Sequence, residues 1–158
     1  MRVLAAVLMM TLASAALAQS TGPGIRDTKD IEDCIKTAAG PDADMQRAVK
    51  CVGIVSAPCL EKAKSTADMN RCHDRERAVW DDILNETYRR LGEKLDDAQR
   101  GKLRDMQRAW IADRDKSCGF YWDYYQGTMA SPMAATCVNR ETAQRALFLL
   151  GFLYAEGK

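Results

Sequence analysis

A chain of 158 residues with 23 Lys+Arg, 22 Asp+Glu, six cysteines and one histidine has room for one domain and none for a large multidomain enzyme. The even charge balance excludes the basic field that nucleic-acid binding needs, and a single histidine excludes most histidine-rich metal sites.

In chain order, Met1-Arg2, an apolar run over 3–12 and small residues ending Ala16-Leu17-Ala18 have the three parts of an export signal. The apolar run is too short to anchor in a bilayer, and no cysteine near the cleavage point offers a site for a lipid, so no membrane anchor is expected. Cleavage after Ala18 removes Arg2 and no acidic residue, leaving a mature chain of zero net charge in the periplasm or outside the cell. A flexible leader over 19–26 and a single helical domain over 27–158 are expected to follow. The domain divides into a cysteine-clipped extension, 27–58, and a main body, 59–155.

Within the extension, Asp27 or Thr28 is expected to cap a short helix that carries Ile31, Cys34, Ile35 and Ala38 and stops at Gly40-Pro41. A second short helix is expected over 44–51, with Gly53 and Pro58 breaking the pattern. Ser65 or Thr66 then caps a long helix whose apolar positions, Met69, Cys72, Val79, Trp80, Ile83, Leu84, Tyr88, Leu91 and Leu95, keep helical spacing. Glu86 and Arg90 are expected to pair on its outer face. Asp96, with Gln99 three residues on, opens the next helix as a capping box. Its stripe is Leu103, Met106, Trp110, Ile111, Cys118, Tyr121 and Tyr125. The short turn makes these two helices an antiparallel hairpin, with Trp80 level with Trp110 and Cys72 level with Cys118. Gly127 ends the second long helix, and Ser131-Pro132 starts a third helix bearing Ala135, Val138, Ala146, Leu149, Leu150 and Leu153. No strand alternation of useful length occurs. The fold class is all-α: a small disulfide-stapled bundle with a long hairpin, a C-terminal helix and short N-terminal helices.

The cysteines Cys34, Cys51, Cys59, Cys72, Cys118 and Cys137 are separated by 16, 7, 12, 45 and 18 residues, so no C-x-x-C occurs. Zinc-ribbon and thioredoxin-like sites lose their motif. Cys72-His73 lacks the first cysteine of a haem attachment, since Met69 stands there. An even cysteine count in a small exported domain points to disulfides, with 15 possible pairings.

The first long helix carries C-x3-E-x3-W-D-x2-L-N-x2-Y-x2-L from Cys72 through Glu76, Trp80, Asp81, Leu84, Asn85 and Tyr88 to Leu91. The second carries L-x3-Q-x2-W-x3-R-D-x2-C from Leu103 through Gln107, Trp110, Arg114 and Asp115 to Cys118, followed by Gly127-Thr128, Cys137, Thr142 and Arg145. Together with Cys59, this pattern over about 59–150 resembles the LprI-like lysozyme-inhibitor family of exported bacterial proteins. The resemblance implies an extracytoplasmic helical domain and binding of lysozyme as partner. It supports a bridge framework in which Cys59–Cys72, Cys118–Cys137 and Cys34–Cys51 is the first choice. Cys72–Cys118 with Cys59–Cys137 remains the alternative.

Trp80, Tyr88 and Trp110 are read as packing. Asn85, Gln107, Arg114 and Asp115 are read as a polar network between helices, with Arg114 bonded to Asp81 or Asp115. His73 is read as a solvated helix position. No cofactor, metal set or catalytic constellation is visible, so a small hydrolase is disfavoured. Partner-binding candidates come from two features. The first is the run 120–125, which holds 5 of the 11 aromatic residues. Tyr121 and Tyr125 are expected to turn inward; Phe120, Trp122 and Tyr124 form either an interface or, as preferred, a surface covered by the N-terminal third. The second is the loop 126–133 with Gly127, Thr128 and Ser131, held at its base near Cys137. The functional expectation is a stoichiometric lysozyme-binding protein, the alternative a non-inhibitory envelope interaction module of the same fold. A neutral mature chain gains no global steering toward a basic lysozyme, which leaves Asp113, Asp115 or Asp123 as a local acidic patch.

Overall fold

The computed structural model describes residues 24–155; the expected export signal and leader residues 19–23 lie outside them. Five α-helices and one 3₁₀ turn follow in order: α1 Ile25–Ala39, the 3₁₀ turn Arg47–Cys51, α2 Ser56–Leu60, α3 Thr66–Lys94, α4 Asp97–Tyr124 and α5 Ala130–Ala155. No strand occurs among the described residues, and no helix there is long and apolar enough to cross a membrane. The all-α bundle expected from the periodicities is the fold observed.

α1 starts earlier than the Asp27 or Thr28 cap would have it. Gly24 takes the extended cap position, and the Asp27 carboxylate accepts its backbone N–H at 3.0 Å from inside the first turn. Ile31, Ile35 and Ala38 then lie on one buried face. Gly40 ends the helix at φ +68°, where a side chain would be strained and would also crowd the Arg47 guanidinium. The Arg47 guanidinium in turn donates to the freed carbonyl of Ala39 at 2.6 Å. The helix expected over 44–51 is only the 3₁₀ turn, because a segment this short cannot offset the cost of nucleating an α-helix. Pro58 sits inside α2 rather than before it. In the third helical position its missing N–H belongs to the set that has no intrahelical partner in any case.

The extension is fastened to the body by Glu76 of α3, which is fully buried. Its carboxylate accepts the backbone N–H groups of Gly53 at 2.7 Å, Val55 at 3.0 Å and Ser56 at 2.7 Å, at and before the start of α2. It also accepts Trp80 Nε1–H and Asn139 Nδ2–H, each at 3.1 Å, so α2, α3 and α5 meet on one side chain. Burial opposes ionisation, but the surrounding donors outweigh it and hold the Glu76 carboxyl below its ordinary value. A second tie is the Arg75 guanidinium of α3, bonded twice to buried Asp27 at 2.6 and 2.7 Å. That contact, above all, holds Asp27 below the usual carboxylate range.

α3 and α4 carry the expected caps. Ser65 accepts the N–H of Asp68 at 3.1 Å, and Asp96 and Gln99 exchange bonds of 2.8 and 3.0 Å. Glu86 bonds Arg89 at 2.6 Å, and Arg90, the expected partner, acts on it only through its charge. Beyond their turn the hairpin arms make few direct backbone approaches. α5 runs parallel to α3, packs along it extensively and takes α4 on another side. Small residues make this possible: Ala134, Ala143 and Ala146 are buried on α5 and let the α3 backbone come close. Because α4 has α5 as its main partner, a narrow strip of it is covered. Only Leu103 and Cys118 are fully buried, and Ile111, expected inside, is exposed. α5 begins at Ala130, one residue before the expected Ser131 cap, with Pro132 buried in its first turn.

The disulfides are Cys34–Cys51, Cys59–Cys72 and Cys118–Cys137. They tie α1 to the 3₁₀ turn, α2 to α3, and α4 to α5, which excludes the alternative framework.

Glu76→Gln leaves one oxygen to serve five donors and is expected to lower stability by at least about 3 kcal/mol in urea unfolding; an unchanged midpoint would remove Glu76 from its fastening role. A carboxyl held low in the folded state adds stability that is present above the unfolded value of about 4.3 and lost as pH falls through the folded value. Acid unfolding of the parent should therefore steepen below about pH 4, and this limb should be shallower in Glu76→Gln.

Candidate functional site

Consecutive helical residues point about 100° apart, so the six residues 120–125 cannot share one face. Tyr121 and Tyr125 are half-buried and stack on each other with centroids 5.8 Å apart. Phe120, Trp122 and Tyr124 are 61%, 58% and 68% exposed. Coverage by the N-terminal third, the preferred expectation, does not occur, because α1 and the 3₁₀ turn pack instead toward α3 and α5. Phe120 lies against Tyr124 at 6.1 Å, and Tyr124 meets Tyr125 edge-on at 5.1 Å. Phe120, Tyr124 and Tyr125 thus form a continuous ridge of rings, whereas Trp122, about 160° around the helix from Phe120 and Tyr124, is exposed on another side of α4.

The loop after α4 is short. Gly127 takes φ +90°, a conformation that favours glycine, and Gly127, Thr128 and Met129 are exposed. The buried Cys118–Cys137 bridge joins the helices on either side of this loop and fixes its base. Ser131 is not part of the free surface. It is half-buried in the first turn of α5 and accepts a hydrogen bond from Asn70 of α3. That bond brings the start of α3 beside the start of α5, which places the exposed Lys62 and Lys64 toward the same end. Asp113, Asp115 and Asp123 are all exposed on α4.

The expected polar network resolves into separate parts. Asn85 is exposed and bonds Asp81 of its own helix at 3.4 Å. Arg114 bonds its neighbour Asp115 at 2.8 and 3.0 Å and lies over the Trp110 ring. Only Gln107 links two helices, accepting Arg145 Nε–H of α5 at 2.9 Å. Trp80 is fully buried, while Tyr88 and Trp110 are half-buried against the core.

His73, read as solvated, is buried between α3 and α5, with Nε2 2.8 Å from the Thr136 hydroxyl. Thr136 donates its one proton to the Pro132 carbonyl, so the histidine must be the donor and carries its proton on Nε2. Burial lowers its pKa, which keeps the ring neutral. The residues missed as structural anchors were Glu76, Asn139 and Arg145. Glu76 gave one usable signal: a charged residue four positions after Cys72 and four before Trp80, on the apolar stripe itself. Among the described residues no group of three or more His, Cys, Asp or Glu side chains is placed to hold a metal.

The family model described as Lysozyme inhibitor LprI matches residues 59–149, more than half of the chain. The matched span takes in two of the three disulfides, the aromatic ridge and the loop beside it. No curated protein and no solved structure matches the chain.

His73 is expected to remain a neutral Nε2–H tautomer at about pH 6, below the unfolded value of about 6.5. Nitrogen chemical shifts of the imidazole measure this directly: an Nδ1–H tautomer would contradict the assigned bond to Thr136, and a protonated ring at that pH would contradict the effect of burial.

Proposed function

The chain belongs to the LprI lysozyme-inhibitor family, and from this premise we propose that it is an exported protein that inhibits lysozyme by stoichiometric binding, with no catalytic step of its own. Three disulfides and no free cysteine among the described residues suit an oxidising compartment, the periplasm or the exterior.

The observation that carries the contact surface is the exposed ridge of Phe120 and Tyr124, with Trp122 exposed on another side of the same helix end, beside a loop based on the Cys118–Cys137 bridge. Aromatic side chains dominate binding energy at protein interfaces, and they present large area at little conformational cost. The bridge preorganises the loop, so less entropy is lost on docking. Lysozyme acts through two carboxylates in a sugar-binding cleft, and a protruding ridge and loop stop it by occupying or covering that cleft. Gly127 and Thr128 form the tip of this surface; Ser131 supports it from behind through Asn70. Asp113 and Asp123, exposed on the same helix, supply the local acidic character that a basic enzyme favours and that the neutral mature chain lacks overall.

The decisive measurement is lysis of bacterial cell walls by c-type and g-type lysozymes during titration with the purified protein. Inhibition saturating near one equivalent is expected for at least one class. Phe120→Ala with Tyr124→Ala should weaken it by about tenfold or more, with a thermal unfolding curve close to the parent's because both rings are exposed. Absence of inhibition of both classes would reject lysozyme as the target and leave an envelope interaction module of the same fold. Inhibition unaffected by the double substitution would move the contact elsewhere.

A further inference from the structure

Where α4 and α5 meet the 3₁₀ turn, an open cleft of about 490 Å³ is walled by Met45, Val49, Trp110, Leu147 and Phe148 and reaches Arg145. Arg145 is only 9% exposed, yet its side-chain hydrogen bond goes to the neutral amide of Gln107. Its Nη2 is buried with no hydrogen-bond partner. Glu141, one turn earlier on α5 and also at the cleft, pairs with Arg140 at 3.2 Å instead. The Trp110 and Phe148 rings lie 5.6 and 5.2 Å from the guanidinium carbon. Their faces attract a cation but do not supply the counter-charge or the acceptor that a buried guanidinium requires. Burial alone pushes Arg145 below its ordinary pKa, in keeping with the lack of a compensating carboxylate.

A cleft of this size falls in the range of small-ligand sites, which combine apolar walls with a few convergent polar groups. The planar fork of a guanidinium matches a carboxylate in shape and charge. We propose that this cleft binds a carboxylate carried on an apolar body, with Arg145 taking the carboxylate and Trp110 and Phe148 flanking the apolar part. Phe148 is 44% exposed, so a rotamer change of that one side chain uncovers the guanidinium. The cleft is distinct from the aromatic ridge, since Trp110 and Phe120 stand about 15 Å apart along α4. Met45 and Val49 precede the family-matched residues, so these two walls belong to this chain's extension and not to the family description.

The test is a titration of the purified, disulfide-bonded protein followed by proton–nitrogen correlation spectra. One arm uses 3-phenylpropanoate and its primary amide; the other uses a tripeptide ending in phenylalanine with a free or an amidated C-terminus. Saturable shifts centred on the Trp110 indole and Arg145 Nε–H are expected. Each carboxylate should bind roughly tenfold or more tightly than its amide, the value of a hydrogen bond to a charged group. Tighter binding of the free acid assigns the ligand to small molecules, and tighter binding of the peptide assigns it to a chain terminus; either supports the site. Equal binding of carboxylate and amide, or no shift with any probe, overturns it. The amide comparison uses the unaltered protein, so it holds even if Arg145→Met fails to fold. Where that variant folds, it should lose the carboxylate preference while retaining weak binding of the amides.

Discussion

A carboxylate shut away from water at Glu76 has to be surrounded by donors, and the rest of the bundle is arranged to bring them. Three are backbone N–H groups at and before α2, one is the Trp80 indole on the same helix, and one is the Asn139 amide on α5. Each donor comes with an element attached. The segment after Cys51 is held in place because its N–H groups have no helical partner until α2 begins. α5 is set in register with α3 because Asn139 must face Glu76. The Cys59–Cys72 bridge pulls in the same direction, closing α2 onto α3 one turn before the glutamate. The surface pairs, such as Arg71 with Asp68 and Arg108 with Asp105, are exposed and contribute little by comparison.

Register between α3 and α5 has a consequence for α4. With α5 packed closely on α3, α4 docks mainly on α5 and loses contact with α3 soon after the turn. A helix with one main neighbour buries a narrow strip. Its apolar residues therefore divide between that strip and the solvent, and three of the aromatics at its C-terminal end fall on the solvent side. The exposed ridge follows from where the helices pack and is no failure to bury apolar surface. The same narrow burial leaves the cleft at Arg145 open between the 3₁₀ turn, α4 and α5, with Gln107 bonded to the guanidinium.

The two surfaces have different physical character. The ridge and loop are convex, aromatic and fixed at the base by Cys118–Cys137, a shape suited to entering a partner's groove. The cleft is concave, with apolar walls and one uncompensated cation, a shape suited to receiving a group. One lies within the family-matched span, and the other borrows two walls from the extension before it.

Periodicity, caps and cysteine spacing by themselves determined the all-helical class, the long helices and the family, because these depend on residues near one another in the chain. Ser65 and Asp96 capped where their own next turns required, and apolar steps of three and four marked the helical faces. Short elements were less legible. A five-residue turn or a proline-bearing helix such as α2 draws its stability from distant partners, here a glutamate twenty residues away. The disulfide pairing, the burial of His73 and the exposure of Phe120, Trp122 and Tyr124 were decided only by tertiary structure. A side chain's solvent exposure depends on which helix lies across from it, and that was fixed when small alanines let α5 pack against α3 and the Asn139 amide bonded to Glu76.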